Sequence, residues 1–406
     1  MKKKYKEENK ITIIGAGLTG LAFCNLLKDS NIKISIIDSQ PKTFYKDANN
    51  ERYIVLSNTS KIILENIGLW SKIDQYCTKV KNIHISKQNI FGSTLVKSSD
   101  ENLDSLGYQL PISNLIKILY ENIEKNDNYK FIHEAKATSV KPGDIIKVKY
   151  LKNSKEEIIR SDCLIFATGA TENLVSNIFS KGTKKDYQQN AVTCEIISDK
   201  YNSETAFERF TNEGVLGLIP RKNNFWTLIY SVNKDESKKI KNLEKKILKE
   251  YFQNLIGKKC GNIEAVNDIK IYPLQMKYHN DFTDNNICLL GDAAHTLHPI
   301  AAQSFNLSLR DCAYLAELII QLESINKSNI SLIFKEYHLK RKSEVKRLIR
   351  FTDFLASFIH GKGIIRNNII SASFIFMDMN KKIRVNVIRY LLGVNFSHSL
   401  ISSLKD

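Results

Sequence analysis

The chain has 406 residues, of which 43% are hydrophobic, with 60 Lys and Arg against 43 Asp and Glu and a net charge of +17. That length supports a large buried core in about two or three domains, and the apolar fraction excludes a disordered chain. The basic residues are dispersed, with no zinc-finger spacing, RNP-like aromatic string or basic zipper, so no nucleic-acid partner is expected. The seven cysteines include no Cys-x-x-Cys pair, which argues against a disulfide framework or a metal site and for a reducing compartment. There is no run of about 18 apolar residues, and the basic start leads into a glycine-broken strand rather than a signal peptide. A cytoplasmic protein is expected.

Residues Ile11 to Asp38 read as a βαβ unit. Ile11-Thr12-Ile13-Ile14 is a buried-strand run, and Gly15-Ala16-Gly17-Leu18-Thr19-Gly20 follows it. A helix then carries Leu21, Ala22, Leu26 and Leu27, and a second strand, Ile34-Ser35-Ile36-Ile37, ends in Asp38. Glycines directly after a strand, a helix after them and an acid about twenty residues on form the dinucleotide fingerprint. Gly15 permits the tight turn, Gly17 lets the backbone approach a pyrophosphate, and Gly20 lets the helix close on the strand. Asp38 can accept hydrogen bonds from ribose hydroxyls, and its charge repels a 2′-phosphate.

Residues 79–98 alternate at Val80, Ile83 and Ile85 and again around Leu95-Val96, and Ala191 to Tyr230 holds short apolar runs broken by Asn, Gly and Pro. Both predict antiparallel sheet. Leu243, Ile247, Tyr251 and Leu255 stand four apart and predict one buried helix face. Ile287-Cys288-Leu289-Leu290 is a short strand ending at Gly291-Asp292, and the chain then turns through Ala293, Ala294, His295 and Pro299. From Phe305 an amphipathic helix carries Leu307, Leu309, Ala313, Leu315, Ala316 and Leu318. Strand, sharp turn and helix N-terminus make a polar-ligand site, although an Asp at this place can equally cap a turn. After Ser331 the chain reads as helical. Its basic stretch Lys340 to Arg350 and the apolar residues 351–376 fit either a docked helix or a surface meeting anionic lipid.

The N-terminal fingerprint paired with Leu290-Gly291-Asp292 resembles the FAD-binding pattern of the class A aromatic-ring monooxygenases. Gly291 to Ala301 (GDAAHTLHPIA), with Gln303, Phe305-Asn306-Leu307 and Leu309-Arg310-Asp311, is similar to the ubiquinone-biosynthesis hydroxylases of the UbiH type. Glu51 to Ser57 resembles that family's Arg-x-x-x-Leu-Ser segment, and Leu106-Gly107-Tyr108 resembles the lead-in to its pyrophosphate-side helix. Phe207 to Phe210, with Gly214 through Pro220, resembles the sheet that covers the substrate, and Tyr272-Pro273-Leu274 precedes the Gly-Asp strand as in the family.

The resemblance implies an α/β fold: a Rossmann-like FAD-binding domain (1–78, 99–178, 271–330), an inserted, mainly antiparallel β-sheet substrate domain (79–98, 179–270) and C-terminal helices (331–406). It implies a FAD-dependent monooxygenase that hydroxylates a polyprenylated phenol in ubiquinone biosynthesis, through a flavin hydroperoxide formed with NAD(P)H and O2. The expected cofactor residues are Gly15, Gly17, Leu18, Thr19, Gly20 and Asp38 for the ADP half, Arg52 near the flavin or its phosphates, and Gly291 and Asp292 at the ribityl chain, with Ala302, Ser304 and Asn306. Pro299, Ala302 and Gln303 form the expected flavin-facing turn, and no metal is implied. Implied partners are a polyprenylphenol, a quinone-biosynthesis complex and the inner face of the membrane, met through the C-terminal helices.

Other residues in these segments read as structural or cavity-lining. His295 and His298 are expected to orient backbone, Arg310 and Asp311 to form a local ion pair or brace a loop, and Tyr272 and Phe305 to line either the substrate cavity or the core. Where the family usually has glycine this chain has Ala302, Ser304 and Ser308, and Thr168 replaces the acid of a mid-chain Asp-Gly motif. Two other readings use the same scaffold: a FAD oxidoreductase acting on a lipid without O2, and a decayed flavoprotein scaffold of a quinone-biosynthesis complex.

Overall fold

A computed structural model describes residues 9–47, 52–169, 174–180, 182–201, 204–297, 303–322, 324–359 and 364–392. Its helices are α1 (Leu18–Leu26), α2 (Asn58–Asn66), α3 (Trp70–Asp74), α4 (Ile112–Glu121), α5 (Lys234–Lys241), α6 (Lys245–Ile256), α7 (Ser304–Ile320), α8 (Lys327–Ile359), α9 (Ile364–Met379) and α10 (Lys381–Leu392).

The first sheet runs in the order Thr283–Asp284, Ile287–Leu289, Lys155–Phe166, Asn9–Ile14, Ile34–Ile37, Tyr129–Ile132. Four of its pairings are parallel. Ile11, Ile13, Ile34, Ile36, Leu164 and Ile165 are fully buried or nearly so, because helices and strands cover both faces of such a sheet. Strand order reverses beside Asn9–Ile14, since the chain goes first to Ile34–Ile37 on one side and returns as Lys155–Phe166 on the other. The crevice beyond the carboxyl ends of strands at such a switch point is where an open α/β sheet binds its ligand.

The second large sheet runs His295–Thr296, Ile263–Tyr278, Thr183–Ser198, Phe225–Asn233, Gly214–Pro220, Thr205–Phe210, Asn82–Lys87, Ser93–Lys97. Its pairings are antiparallel except that of Thr205–Phe210 with Asn82–Lys87, which is how the early segment joins the later insertion. Alternation gives it two different faces. Val192, Ile196, Leu216, Leu218, Trp226 and Leu228 pack under α6, while Val215, Gly217, Ile219 and Ile229 line a cavity on the other face. A small sheet of Tyr53–Ser57, Gly107–Pro111 and Thr78–Val80 lies between the two.

Three sequence expectations are corrected here. The buried face of α6 is Leu248, Phe252 and Ile256 rather than Leu243, Ile247, Tyr251 and Leu255. Leu243 precedes the helix and Ile247 is exposed, so the i, i+4 spacing is right but the stripe is one residue later. The expected boundary at 270 falls inside the strand Ile263–Tyr278. Pro273 is tolerated there because the strand pairs with Thr183–Ser198 on one side and on the other meets only His295–Thr296, at Lys277 and Tyr278. Thr78–Val80 belongs to the small sheet, although Val80 alternates in sequence with Ile83 and Ile85.

Side chains fasten the second large sheet to the small one. The Arg221 guanidinium lies 3.8 Å from the centre of the Tyr53 ring, donates to the Tyr53 hydroxyl at 2.6 Å and pairs with Glu195 at 2.6 Å. Gln109 Nε2 donates to Thr227 Oγ1 at 2.7 Å across the same boundary.

Candidate active site

A cavity of about 1050 Å³ opens at the switch point. One end is the glycine loop and the start of α1; from there the wall passes Asp38 and Tyr45, then Arg52 to Val55, and ends at Asp292 and Ser304. Gly17 caps α1 without a side chain, so the first-turn N–H groups of Leu18 and Thr19 lie on the wall. A Cβ on Gly20 would stand 2.0 Å from the Gly15 carbonyl oxygen, so helix and turn meet at backbone contact. Asp38 accepts from the Ala16 N–H at 2.5 Å and from the Gln40 N–H at 2.8 Å, which fixes its carboxylate at the end of its strand with lone pairs to spare.

At the other end, Asp292 follows the strand Ile287–Leu289 and accepts a 2.7 Å hydrogen bond from Ser304 Oγ, at the start of α7. Ser304 thus has helical backbone, needs no glycine conformation and holds Asp292 in place. Gly291 has φ +62°, and a Cβ there would stand 2.8 Å from the Thr19 side chain and 2.9 Å from Ser308 Oγ. Its close approach is therefore to α1 and α7, whereas the sequence reading assigned it to the cofactor. Of the flavin-facing turn, Gln303 is described: it is buried at the N-terminus of α7 and lines the cavity. Pro299 and Ala302, like His298, lie outside the described residues.

Arg52 is exposed on the cavity rim, and Thr168 and Gly169 line the wall beside the glycine loop. Asn306 does not line this cavity. Its Oδ1 accepts from the Ser57 N–H at 2.8 Å and from Ser60 Oγ at 2.7 Å, and its Nδ2 donates to the Val55 carbonyl at 2.9 Å. These bonds tie α7 to the start of α2. Phe305 lines the large cavity, while Tyr272 lines neither it nor the smaller one described next.

A second cavity of about 130 Å³ adjoins the first. Val55, Ile219, Ile229 and Gln303 line both, so the two volumes share a wall. The smaller one lies on the inward face of the insertion, among Val80, Ile83, Leu106, Val215 and Gly217, with Glu208 as its charged residue. Sequence reading missed Glu208. The available signal was alternation, which puts it on the same face as Ala206.

Behind the Gly-Asp turn lies a buried ionic network. His295 Nε2 and Asp311 Oδ2 are 2.6 Å apart, both side chains fully buried, and Arg341 Nε donates to Asp311 Oδ1 at 2.6 Å. Arg341 also pairs with Glu344, which accepts from Arg310 Nε at 3.1 Å. Arg310 and Asp311 therefore do not pair with each other; they bond separately to partners brought by α8. His295 is tied to α7 through Asp311, and Arg341, in the basic stretch read either as a docked helix or as a lipid-facing surface, is buried.

The FAD binding domain family matches residues 8–352 of this chain. Ubiquinone hydroxylase UbiM of Neisseria meningitidis is 26% identical over 353 residues, 85% of this chain and 76% of the relative. The 3-demethoxyubiquinol 3-hydroxylase of Escherichia coli is 21% identical over 349 residues, covering 83% of this chain and 86% of that one. Among solved structures, p-nitrophenol 4-monooxygenase PnpA from Pseudomonas putida superposes with a TM-score of 0.79 at 14% identity, over 95% of this chain and 98% of that chain. That likeness establishes the fold.

Proposed function

This chain belongs to the FAD binding domain family, and from that membership we propose that it is a FAD-dependent monooxygenase hydroxylating the ring of a polyprenylated phenol in ubiquinone biosynthesis. The carrying observation is the pair of adjoining cavities that share Val55, Ile219, Ile229 and Gln303. The larger fits FAD: a glycine loop at backbone contact with α1, N–H groups on the wall, Asp38 at the ribose end and Asp292 held by Ser304 at the far end. The smaller is close to the roughly 150 Å³ of an apolar cavity known to take up benzene.

When bound, FAD reduced by NAD(P)H, the family's typical donor, supplies the activated oxygen from O2. The chain's residues do the rest. Leu18 and Thr19 present helix-terminal N–H groups to the pyrophosphate, Asp38 and Asp292 accept from hydroxyls, and Val55, Ile219 and Ile229 keep water from the ring. The test is oxygen-dependent NAD(P)H oxidation by the FAD-loaded protein with 2-(3-methylbut-2-enyl)phenol, following the hydroxylated product. A gene deletion should accumulate the unhydroxylated precursor, and a normal ubiquinone pool in that strain would sink the reading. NAD(P)H-driven reduction of the lipid without oxygen would favour the oxidoreductase alternative.

No described helix is long and apolar enough to cross a membrane. The proposed membrane contact is peripheral, on the inner face. Phe376 and Met379 of α9 are 57% and 82% exposed, and Phe91, 87% exposed, sits in the turn that α9 covers. Thr94 Oγ1 donates to the Phe374 carbonyl at 2.9 Å, fixing α9 to the edge of the sheet whose inner face walls the small cavity. Exposed Lys381 and Lys382 follow directly. Apolar tips beside lysines suit an anionic bilayer holding a prenylated substrate. The double variant Phe91→Glu, Phe376→Glu should sediment at least about tenfold less with phosphatidylglycerol-containing vesicles. It should still turn over the short-chain phenol; unchanged sedimentation would rule this surface out.

A further inference from the structure

Glu208 is a carboxylate with no evident structural task. It lines the small cavity, and among the described residues it has no hydrogen-bond or ion-pair partner. Its strand neighbours across the sheet are Gly217 and Ile85, neither of which can bond a carboxylate through a side chain. A Cβ built on Gly217 would meet only the Ile229 carbonyl oxygen, at 3.8 Å, so open space lies beside Glu208. Glu208 is half-buried on the wall of this cavity, and a carboxylate set without a partner in a largely apolar pocket points to a functional use.

We propose that Glu208 is the catalytic base for the phenolic substrate, its carboxylate accepting the hydroxyl proton of a ring seated in the small cavity. The proposal rests on the hydroxylase reading above and extends it. The phenol O–H bond breaks, its electron pair stays on the oxygen and the proton passes to Glu208, with no change in oxidation state. The phenolate so formed is the stronger nucleophile at its ortho and para carbons, where the electrophilic oxygen is delivered. After oxygen transfer the ring is a dienone; it releases the displaced ring hydrogen as a proton and regains aromaticity as Glu208 returns its own proton to the phenolic oxygen.

The surroundings suit this exchange. Burial raises the Glu208 carboxyl from its ordinary value to about 7, so both of its forms are populated near neutral pH. The other lining residues, from the small sheet, both strands flanking Thr205–Phe210, and α7, are uncharged. Arg209 and His84 belong to the opposite face with Lys259, whose Nζ is 5.5 Å from the Phe207 ring centre and 3.4 Å from His84 Nδ1, while buried Lys87, two residues along the adjacent strand from Ile85, is the cation on Glu208's own face. Burial alone sets the direction of the Glu208 shift, with no ion pair to it among the described residues.

The experiment compares FAD-loaded wild type, Glu208→Gln and Glu208→Asp on 2-(3-methylbut-2-enyl)phenol across pH 5.5–9. Wild-type kcat/KM should rise through a pKa near 7. Glu208→Gln should fall by about 10²–10⁴ and lose that limb, and Glu208→Asp should recover part of the rate. A ring-fluorinated analogue already ionised at the assay pH should bring Glu208→Gln to within about tenfold of wild type. Gly217→Val is the second variant: it fills the space beside Glu208 and should raise KM while leaving the pH limb in place. A Glu208→Gln enzyme with the wild-type rate and limb overturns this inference alone. No hydroxylation by wild type overturns the hydroxylase reading and this inference with it.

Discussion

Asp311→Ala is expected to lower the free energy of unfolding by about 3–5 kcal/mol, because removing one partner of a buried ionic network leaves the others desolvated and unpaired. Asp311 is fully buried, and its two oxygens hold His295 and Arg341 at 2.6 Å each. Without it, Arg341 keeps only Glu344, which also serves Arg310. Against a total stability of roughly 5–15 kcal/mol, the loss should be plain in the urea midpoint of the full chain at pH 7, and a change below about 1 kcal/mol would contradict it. The flavin should loosen as well, since His295 lies three residues after Asp292. Burial pushes the Asp311 carboxyl up, but Arg341 and then His295 overcome this and hold it below its ordinary value. A lowered folded pKa means the stabilisation is present above the unfolded value near pH ~4 and is lost as pH falls through the folded one. Wild type should therefore lose thermal stability steeply below about pH 4, and Asp311→Asn should show a shallower acid limb.

Gly20→Ala should abolish FAD retention, whereas Gly17→Ala should weaken it in a chain that folds normally. The two glycines stand three residues apart, Gly17 as the cap of α1 and Gly20 in its first turn, and their surroundings differ. A Cβ at position 20 would press to 2.0 Å on the Gly15 carbonyl oxygen, so the turn or α1 must shift and the N–H cradle shifts with it. At position 17 a Cβ would meet nothing within 4 Å, because it points into the large cavity. It would clash only with a pyrophosphate brought to the backbone. We expect Kd for FAD to rise about 100-fold in Gly17→Ala, some 2.7 kcal/mol, with an unchanged thermal midpoint of the flavin-free protein. Gly20→Ala should lose both flavin and several degrees of midpoint. Flavin fluorescence titration of the two variants separates the cases, and equal FAD affinity in Gly17→Ala and wild type would remove the pyrophosphate from that end of the cavity.

The parts of the site that were legible in the sequence are those in which local chain geometry and ligand chemistry coincide. The strand, glycine loop, helix and Asp38 fall within about thirty residues and follow from backbone rules alone. The Gly-Asp turn was legible for the same reason, but the purpose of Gly291 was not: Thr19 and Ser308, the side chains that crowd it, come from distant segments. The pairing of Asp311 with Arg341 was also hidden. Adjacent opposite charges suggest a local pair, and only the docking of α8 shows that each has a separate partner. The face of α6 was misread because Leu243, Ile247, Tyr251 and Leu255 have the same spacing as the stripe that is buried. Asn306 reads as a cofactor ligand until its amide is seen bonded to Val55, Ser57 and Ser60.

The wall common to the two cavities limits how the substrate range of such a protein can change. Any substitution at Val55, Ile219, Ile229 or Gln303 reshapes both cavities together, and with them the proposed seats of ring and cofactor. Val80, Ile83, Leu106 and Val215 border the small cavity alone. Under the proposed function, variation that adapts the protein to a bulkier or differently substituted ring is free to accumulate at Val80, Ile83, Leu106 and Val215, while the four shared positions answer to two ligands at once.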